Sequence, residues 1–173
     1  MKEKIIYTFT AQTPIGKIQA AACDNAISGL WFIGQKYFPV EAETWVKKPD
    51  YSVFVSLKIW LDEYFAGRKP AVKIPLSPNG TDFQQVVWKL LKEIPYGKTT
   101  TYGAIAARLS GKGKKASAQA VGGAVGHNPI SLLIPCHRVI GADGSLTGYA
   151  GGLEKKSALL ELESKGFWAG EKC

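Results

Sequence analysis

The stretch Thr81-Asp82-Phe83-Gln84-Gln85-Val86-Val87-Trp88-Lys89-Leu90-Leu91 opens on a capping box: the Thr81 hydroxyl and the Gln84 side chain can satisfy orphan N–H groups reciprocally at a helix start. Phe83, Val86, Val87, Leu90, Leu91 and Ile94 then recur on one broad face, and Pro95-Tyr96-Gly97 ends the run. Two short helices are predicted beyond it, Tyr102 to Leu109 and Ala116 to about Val125, joined by Ser110 to Lys115. This pair resembles a helix-turn-helix. Its joint exceeds the usual three or four residues, so pattern alone leaves a nucleic-acid reader and an ordinary helical pair equally open. The apolar run Ile130 to Ile140, which Gly141-Ala142-Asp143-Gly144 can turn back, predicts a hairpin or wing. A last helix from Leu153 to about Lys165 would bury Leu153, Leu159, Leu160 and Leu162 and stop at Gly166.

Towards the N-terminus, Pro75, Pro78, Asn79 and Gly80 form a breaker cluster of the kind found at domain boundaries, dividing the chain into residues 1–77 and 78–173. The runs Ile5 to Thr10, Lys17 to Cys23 and Ala26 to Ile33 read as strands separated by Pro14-Ile15-Gly16 and Asp24-Asn25, which makes an antiparallel meander the simplest topology. Gly34 to Asp50 shows no period and reads as irregular. Val53, Leu57, Trp60, Leu61 and Tyr64 then define an amphipathic helix covering the meander, with Gly67 and Pro70 as its stop. The fold class expected is an α/β N-terminal domain with a small antiparallel sheet, followed by a mainly α C-terminal domain with a winged helix-turn-helix-like DNA-binding unit.

Composition bounds the function. A chain of 173 residues that is 46% apolar and 11% aromatic can bury enough surface to offset its ordering entropy, which excludes disorder. No apolar run reaches the roughly 18 to 20 residues of a membrane span, and Met1 to Tyr7 lacks the apolar stretch of a signal peptide, so no membrane partner and a cytoplasmic location are expected. The net charge of +8 favours an anionic partner. Residues 1–77 hold 10 basic and 7 acidic residues against 12 and 7 in 78–173, and Arg108, Lys112, Lys114 and Lys115 gather at the helix joint, where a phosphate backbone could be gripped. Cys23, Cys136 and Cys173 are odd in number and widely spaced, and the only histidines are His127 and His137, so neither a disulfide framework nor a metal site is expected.

Cys136 is the candidate nucleophile. Pro135 removes a backbone donor beside it, and His137 and Arg138 supply the positive potential that favours a thiolate. In an extended segment His137 would point away from the sulfur, so a bridging water or a local bend would be needed for it to take the thiol proton. An orienting carboxylate could come from Glu154, Glu161 or Glu163, and spacing does not choose. Asn128 could be a turn residue or a brace to the Cys136 segment. Tyr102 could be a core aromatic or an acid at a helix start, and Gly148, Gly151 and Gly152 around Tyr149 could form a plain loop or admit a planar ligand.

Pro135-Cys136-His137-Arg138-Val139-Ile140, preceded by Asn128-Pro129 and followed by Gly148-Tyr149-Ala150-Gly151-Gly152, resembles the active-site signature of the O6-alkylguanine-DNA alkyltransferases. The likeness extends through Thr81 to Gln84, Val87-Trp88, Ile94 to Gly97 and Thr101-Tyr102-Gly103, whereas the first half matches only in the order of its elements. The resemblance implies direct repair as a methylated-DNA–protein-cysteine methyltransferase. Cys136 would take the alkyl group from O6 of a flipped-out guanine, and by extension O4 of thymine, once per molecule and without a cofactor. It further implies His137 as water-mediated base, Glu163 as its orienter, Tyr102 as donor to the guanine ring nitrogen and Asn128 as brace. Val139, Tyr149, Ala150, Gly151 and Ser131 would line the guanine pocket. Thr101, Arg108, Lys114, Lys115, Gln119 and Ala120 would meet alkylated double-stranded DNA through its minor groove, with the protein acting as a monomer.

The chain departs from the family pattern at Gln119, where an intercalating Arg is common, at Ala150, where a hydroxyl residue often stands, and in lacking the zinc ligands of some members. The small Gly151 and Ser131 imply acceptance of groups bulkier than methyl, benzyl included. Two other functions compete: a non-enzymatic sensor of alkylated bases on the same fold, against which Cys136 argues, and a Cys-His thiol hydrolase, which would turn over repeatedly.

Overall fold

Short β-prone runs and tight turns make the first third of the chain a meander. In the computed structural model, which describes residues 4–113 and 115–166, β1 (Tyr7–Thr13), β2 (Gly16–Cys23) and β3 (Ala26–Phe32) pair antiparallel. Tyr7 stands opposite Ala22, and Ile18 opposite Phe32. Asp24 and Asn25 both take left-handed backbone, with φ of 51° and 57°, as a two-residue hairpin turn requires. The segment read as irregular holds a 3-10 turn at Val40–Thr44 and a two-residue β4 (Val46–Lys47), which lies parallel to β1 and gives the sheet order β3-β2-β1-β4. Two residues are too few to leave an alternation in the sequence.

α1 (Ser52–Phe65) turns Val53, Phe54, Leu57, Leu61 and Tyr64 inward, and the Phe54 ring meets Phe9 of β1 at 4.7 Å between centroids. The outer edge of β3 does not stay open. Ile27 donates to the Pro75 carbonyl and accepts from Ser77, at 2.8 and 2.7 Å, while Leu30 donates to Pro129 and accepts from Ser131, both at 2.9 Å. The breaker cluster and the segment leading to Cys136 therefore lie along one sheet edge, which satisfies backbone groups that would otherwise template aggregation. Residues of both halves belong to a single buried apolar cluster.

The second half contains α2 (Asp82–Leu91), β5 (Thr100–Thr101), α3 (Tyr102–Gly111), α4 (Ala118–Gly126), β6 (Val139–Ile140) and α5 (Leu153–Lys165). The capping box of α2 forms as read, with Gln84 N 3.2 Å from the Thr81 hydroxyl and Thr81 N 2.9 Å from the Gln84 side chain. Thr101 and Ser117 cap α3 and α4 with their hydroxyls alone, accepting from Ala104 N at 3.1 Å and Ala120 N at 3.0 Å, and the Trp88 indole of α2 donates to Ala124 of α4 at 2.8 Å.

Two expectations are corrected. The run Ile130 to Ile140 makes no hairpin: Leu132 has a φ of 69°, Pro135 bends the chain, and β6 pairs parallel with β5 instead of folding back. The buried face of α5 is not its leucine face alone. Leu153 is 49% exposed, whereas Lys156 and Glu163 are buried beside Leu159 and Leu162, because each charge finds partners inside.

Candidate active site

Consecutive tight turns deliver Cys136. Leu133 N bonds to the Ser131 carbonyl at 2.8 Å around left-handed Leu132, and Cys136 N bonds to Ile134 at 2.7 Å around Pro135, whose φ of −79° and ψ of 65° are those of an inverse γ-turn. Cys136, His137 and Arg138 then form a 3-10 turn closed by Arg138 N to the Pro135 carbonyl at 3.0 Å. This is the local bend that an extended reading lacked. The Asn128 amide donates to the Ile134 carbonyl at 2.7 Å while its oxygen accepts from Ile130 N at 3.0 Å, tying the end of α4 to these turns.

His137 is fully buried, and its Nε2 lies 2.6 Å from Glu163 Oε1, which selects Glu163 among the three carboxylates considered. Glu161 instead pairs with Lys165 at 2.5 Å. Glu163 accepts further from Arg138 Nε at 2.8 Å and Nη2 at 2.9 Å, from Gly97 N at 3.2 Å and from the Tyr64 hydroxyl at 2.7 Å. Burial by itself would push the Glu163 carboxyl up, but His137 and Arg138 hold it at about 2. Burial lowers the His137 pKa despite the carboxylate, so the imidazole is a neutral acceptor at neutral pH. Its Nδ1 has no hydrogen-bond partner among the described residues. The Cys136 thiol is pushed up by burial, with the Asn128 side chain and the Lys156 ammonium working against that shift.

Val139, Ser131 and Tyr149, like Cys136, are buried, and the Tyr149 hydroxyl lacks a hydrogen-bond partner among the described residues. Tyr102 opens α3 and donates to the Thr147 carbonyl at 2.8 Å. Lys156 donates to Val139 and Thr147 carbonyls at 2.5 and 2.7 Å, and burial lowers its pKa to about 8. A groove of about 450 Å³ lies along Gly122, Gly126, His127, Gly148, Tyr149 and Ala150. The loop after β3 borders it from the first domain, with Tyr37 stacked on His127 at 4.1 Å and Lys36 N bonded to the Ala150 carbonyl at 3.2 Å. Gly151 has no room for a side chain, since a Cβ there would fall 2.9 Å from Tyr149 and 3.0 Å from Phe32. Among the described residues no three His, Cys, Asp or Glu side chains are placed to hold a metal ion.

On the α3–α4 face, Gln119 and Ala120 are exposed in the first turn of α4, Lys115 is exposed before it, and Thr101 uses its hydroxyl to cap α3. Arg108 is exposed but paired with Glu93. Lys114 and Cys173 lie outside the described residues. Sequence reading missed Tyr64, Arg138 as a partner of Glu163, and Lys156. The only signals for them were a tyrosine at a core position of α1, a lysine among the leucines of α5 and the place of Arg138 next to His137.

Two family models match the chain: the ribonuclease-like domain of 6-O-methylguanine DNA methyltransferase over residues 5–78, and the DNA binding domain of 6-O-methylguanine DNA methyltransferase over residues 82–165. The first half, where only element order had been legible, is thus matched in sequence as well. The methylated-DNA–protein-cysteine methyltransferase of Mycobacterium bovis is 45% identical over 159 residues, covering 92% of this chain and 93% of that protein. That of Haemophilus influenzae is 41% identical over 160 residues, covering 92% and 86%. Among solved structures, Mycobacterium tuberculosis OGT in complex with DNA superposes with a TM-score of 0.83 at 42% identity, covering 94% of this chain and 96% of that one.

Proposed function

Because the chain belongs to the 6-O-methylguanine DNA methyltransferase family, we propose that Cys136 is the acceptor of the alkyl group and that His137 is its base. The protein is a DNA-repair alkyltransferase, a methylated-DNA–protein-cysteine methyltransferase that binds DNA. The observation that carries the assignment of Cys136 is the 3-10 turn that seats it directly before a buried His137–Glu163 pair.

In the proposed reaction a water between Cys136 and the free Nδ1 of His137 passes the thiol proton to the imidazole. The thiolate attacks the alkyl carbon in line; the S–C bond forms, the C–O6 bond breaks, and its electron pair goes to guanine. Tyr102, which now donates to Thr147, re-aims its hydroxyl to the ring nitrogen and stabilises the developing negative charge. Glu163 keeps the imidazole oriented and balances its positive charge once protonated, while Asn128 holds the turn that carries the sulfur. The S-alkyl bond has no hydrolytic route, so each molecule acts once.

The base reaches this site flipped out of double-stranded DNA. Extrusion costs a few kcal/mol, which backbone contacts and a wedge must offset. Gln119 and Ala120 at the start of α4 serve as the wedge, with Thr101, Arg108 and Lys115 towards the phosphates and a monomer as the acting unit. Val139, Ser131, Tyr149, Ala150 and Gly151 enclose the guanine and its alkyl group, and O4-alkylthymine is a second substrate of the same geometry.

The test is mass spectrometry of proteolysed protein after incubation with duplex DNA containing O6-methylguanine, alongside Cys136→Ala. One methyl per molecule on the Cys136 peptide, with loss of the lesion, is the expected result. Lesion binding without methyl gain would favour a sensor, and repeated turnover a hydrolase.

A further inference from the structure

Tyr64 belongs to α1 of the first domain, yet its hydroxyl ends inside the charge cluster of the second, 2.7 Å from Glu163 Oε1 and 3.3 Å from His137 Nε2. The phenol is fully buried and its aim is fixed: Trp60 stacks on it at 5.0 Å with planes 9° apart, and Phe65 and Tyr96 present edges. A phenylalanine would fill the same space without having to desolvate a hydroxyl. What distinguishes tyrosine here is the hydrogen bond.

We propose that Tyr64 is a positioning residue for the alkyl transfer: by donating to the Glu163 oxygen that faces His137, it limits how strongly Glu163 draws a proton onto the imidazole and so keeps His137 free to accept the Cys136 proton. The inference rests on the reading of His137 as the base. Oε1 accepts from Tyr64, His137 and Arg138 together, so its negative charge is shared among three donors. Removing the Tyr64 donor concentrates that charge on His137. The imidazole then holds a proton at higher pH, where it can no longer serve as a base. Other charged and titratable groups around the pair are Arg138 in the turn itself, Lys156 on α5 and Cys136, with Tyr96 and Tyr149 nearby; none of them donates from the first domain, so α1 couples that domain to the chemistry of the second.

The experiment is the single-turnover rate of methyl transfer from an O6-methylguanine duplex, followed from pH 5 to 9 with the full chain as wild type, Tyr64→Phe and Glu163→Gln. Lesion binding is measured separately in a Cys136→Ala background. For Tyr64→Phe the acid limb of the profile moves to higher pH, lowering the rate at pH 6 by about threefold to tenfold with lesion binding unchanged, as expected for loss of one charge-assisted hydrogen bond. Glu163→Gln moves the limb the opposite way, because the imidazolium loses its counter-charge. A Tyr64→Phe profile that superimposes on wild type while Glu163→Gln shifts would overturn the role of Tyr64 alone. If neither variant moves the limb, His137 is not the base, and the inference falls with that reading.

Discussion

Gly67, just past the end of α1, stands against the carbonyl of Gly166, just past the end of α5: a Cβ on Gly67 would fall 1.9 Å from that oxygen. Both glycines have left-handed backbone, with φ of 76° and 74°. Tyr64 and Glu163 each lie three residues upstream of these stops and meet at 2.7 Å. The contact of two helix ends therefore sets the distance across the domain boundary at the charge cluster.

Gly67→Ala is expected to destabilise the fold by about 2 kcal/mol or more, since it combines a strained φ with a backbone clash that only separation of the helix ends relieves. Urea unfolding measures the loss. The same variant slows methyl transfer, and full wild-type stability would show that the two helix ends are free to part.

Acid should lower the stability of the fold over two successive pH ranges. The His137 pKa is below its ordinary 6.5 in the fold, so unfolding binds a proton and stability declines as pH falls through 6.5. Glu163, at about 2 against an ordinary 4.5, contributes stability that is complete above 4.5 and is lost as pH falls from there towards 2. The carboxylate accounts for about 3 kcal/mol at neutral pH. Glu163→Gln leaves the buried Arg138 without its counter-charge, so it should lose a similar amount at pH 7 and show a flatter decline below pH 5. Urea midpoints at pH 7, 5 and 4 for both proteins decide this.

Lys156→Met keeps the length of the side chain but removes both bonds to the Val139 and Thr147 carbonyls. A loss of about 2 kcal/mol in urea unfolding is expected. The ammonium also lowers the Cys136 thiol pKa, so its removal should shift the alkaline part of the transfer profile to higher pH.

Gly151→Ala forces Tyr149 or Phe32 to move, because the new methyl lies within 3.0 Å of both rings. Wild type is expected to accept the benzyl group of benzylguanine on Cys136. In the variant, benzyl labelling should fall more than methyl transfer, and an equal fall in both would place Gly151 outside the control of pocket width.

Gln119→Arg, on the exposed first turn of α4, adds a charge and a planar stacking surface at the position proposed above as the wedge. Faster transfer from duplex DNA with an unchanged rate on single-stranded DNA is the expected pattern. An unchanged duplex rate would remove Gln119 from the flipping step.

Local signals determined much of this protein in advance. The Thr81–Gln84 capping box, the turn residues Asp24 and Asn25 and the stops at Gly67 and Gly166 act over a few residues of chain, so each could be read where it stands. The run around Cys136 was specific enough to point to a family before any geometry was known. Tertiary structure alone decided the rest. Glu154, Glu161 and Glu163 share one helix and one charge, and only the packing of α5 against the Cys136 turn selects Glu163 as the partner of His137. Lys156 looks like a solvated charge in the sequence and Arg138 like no more than a source of positive potential beside Cys136, and their burial depends on carbonyls and a carboxylate supplied from elsewhere in the chain. Tyr64 reads as one more core aromatic of α1, and its hydroxyl meets Glu163 only after the two domains close on each other. Neither composition nor period encodes such meetings, because hydrogen-bond partners 99 residues apart in sequence leave no local pattern in either segment.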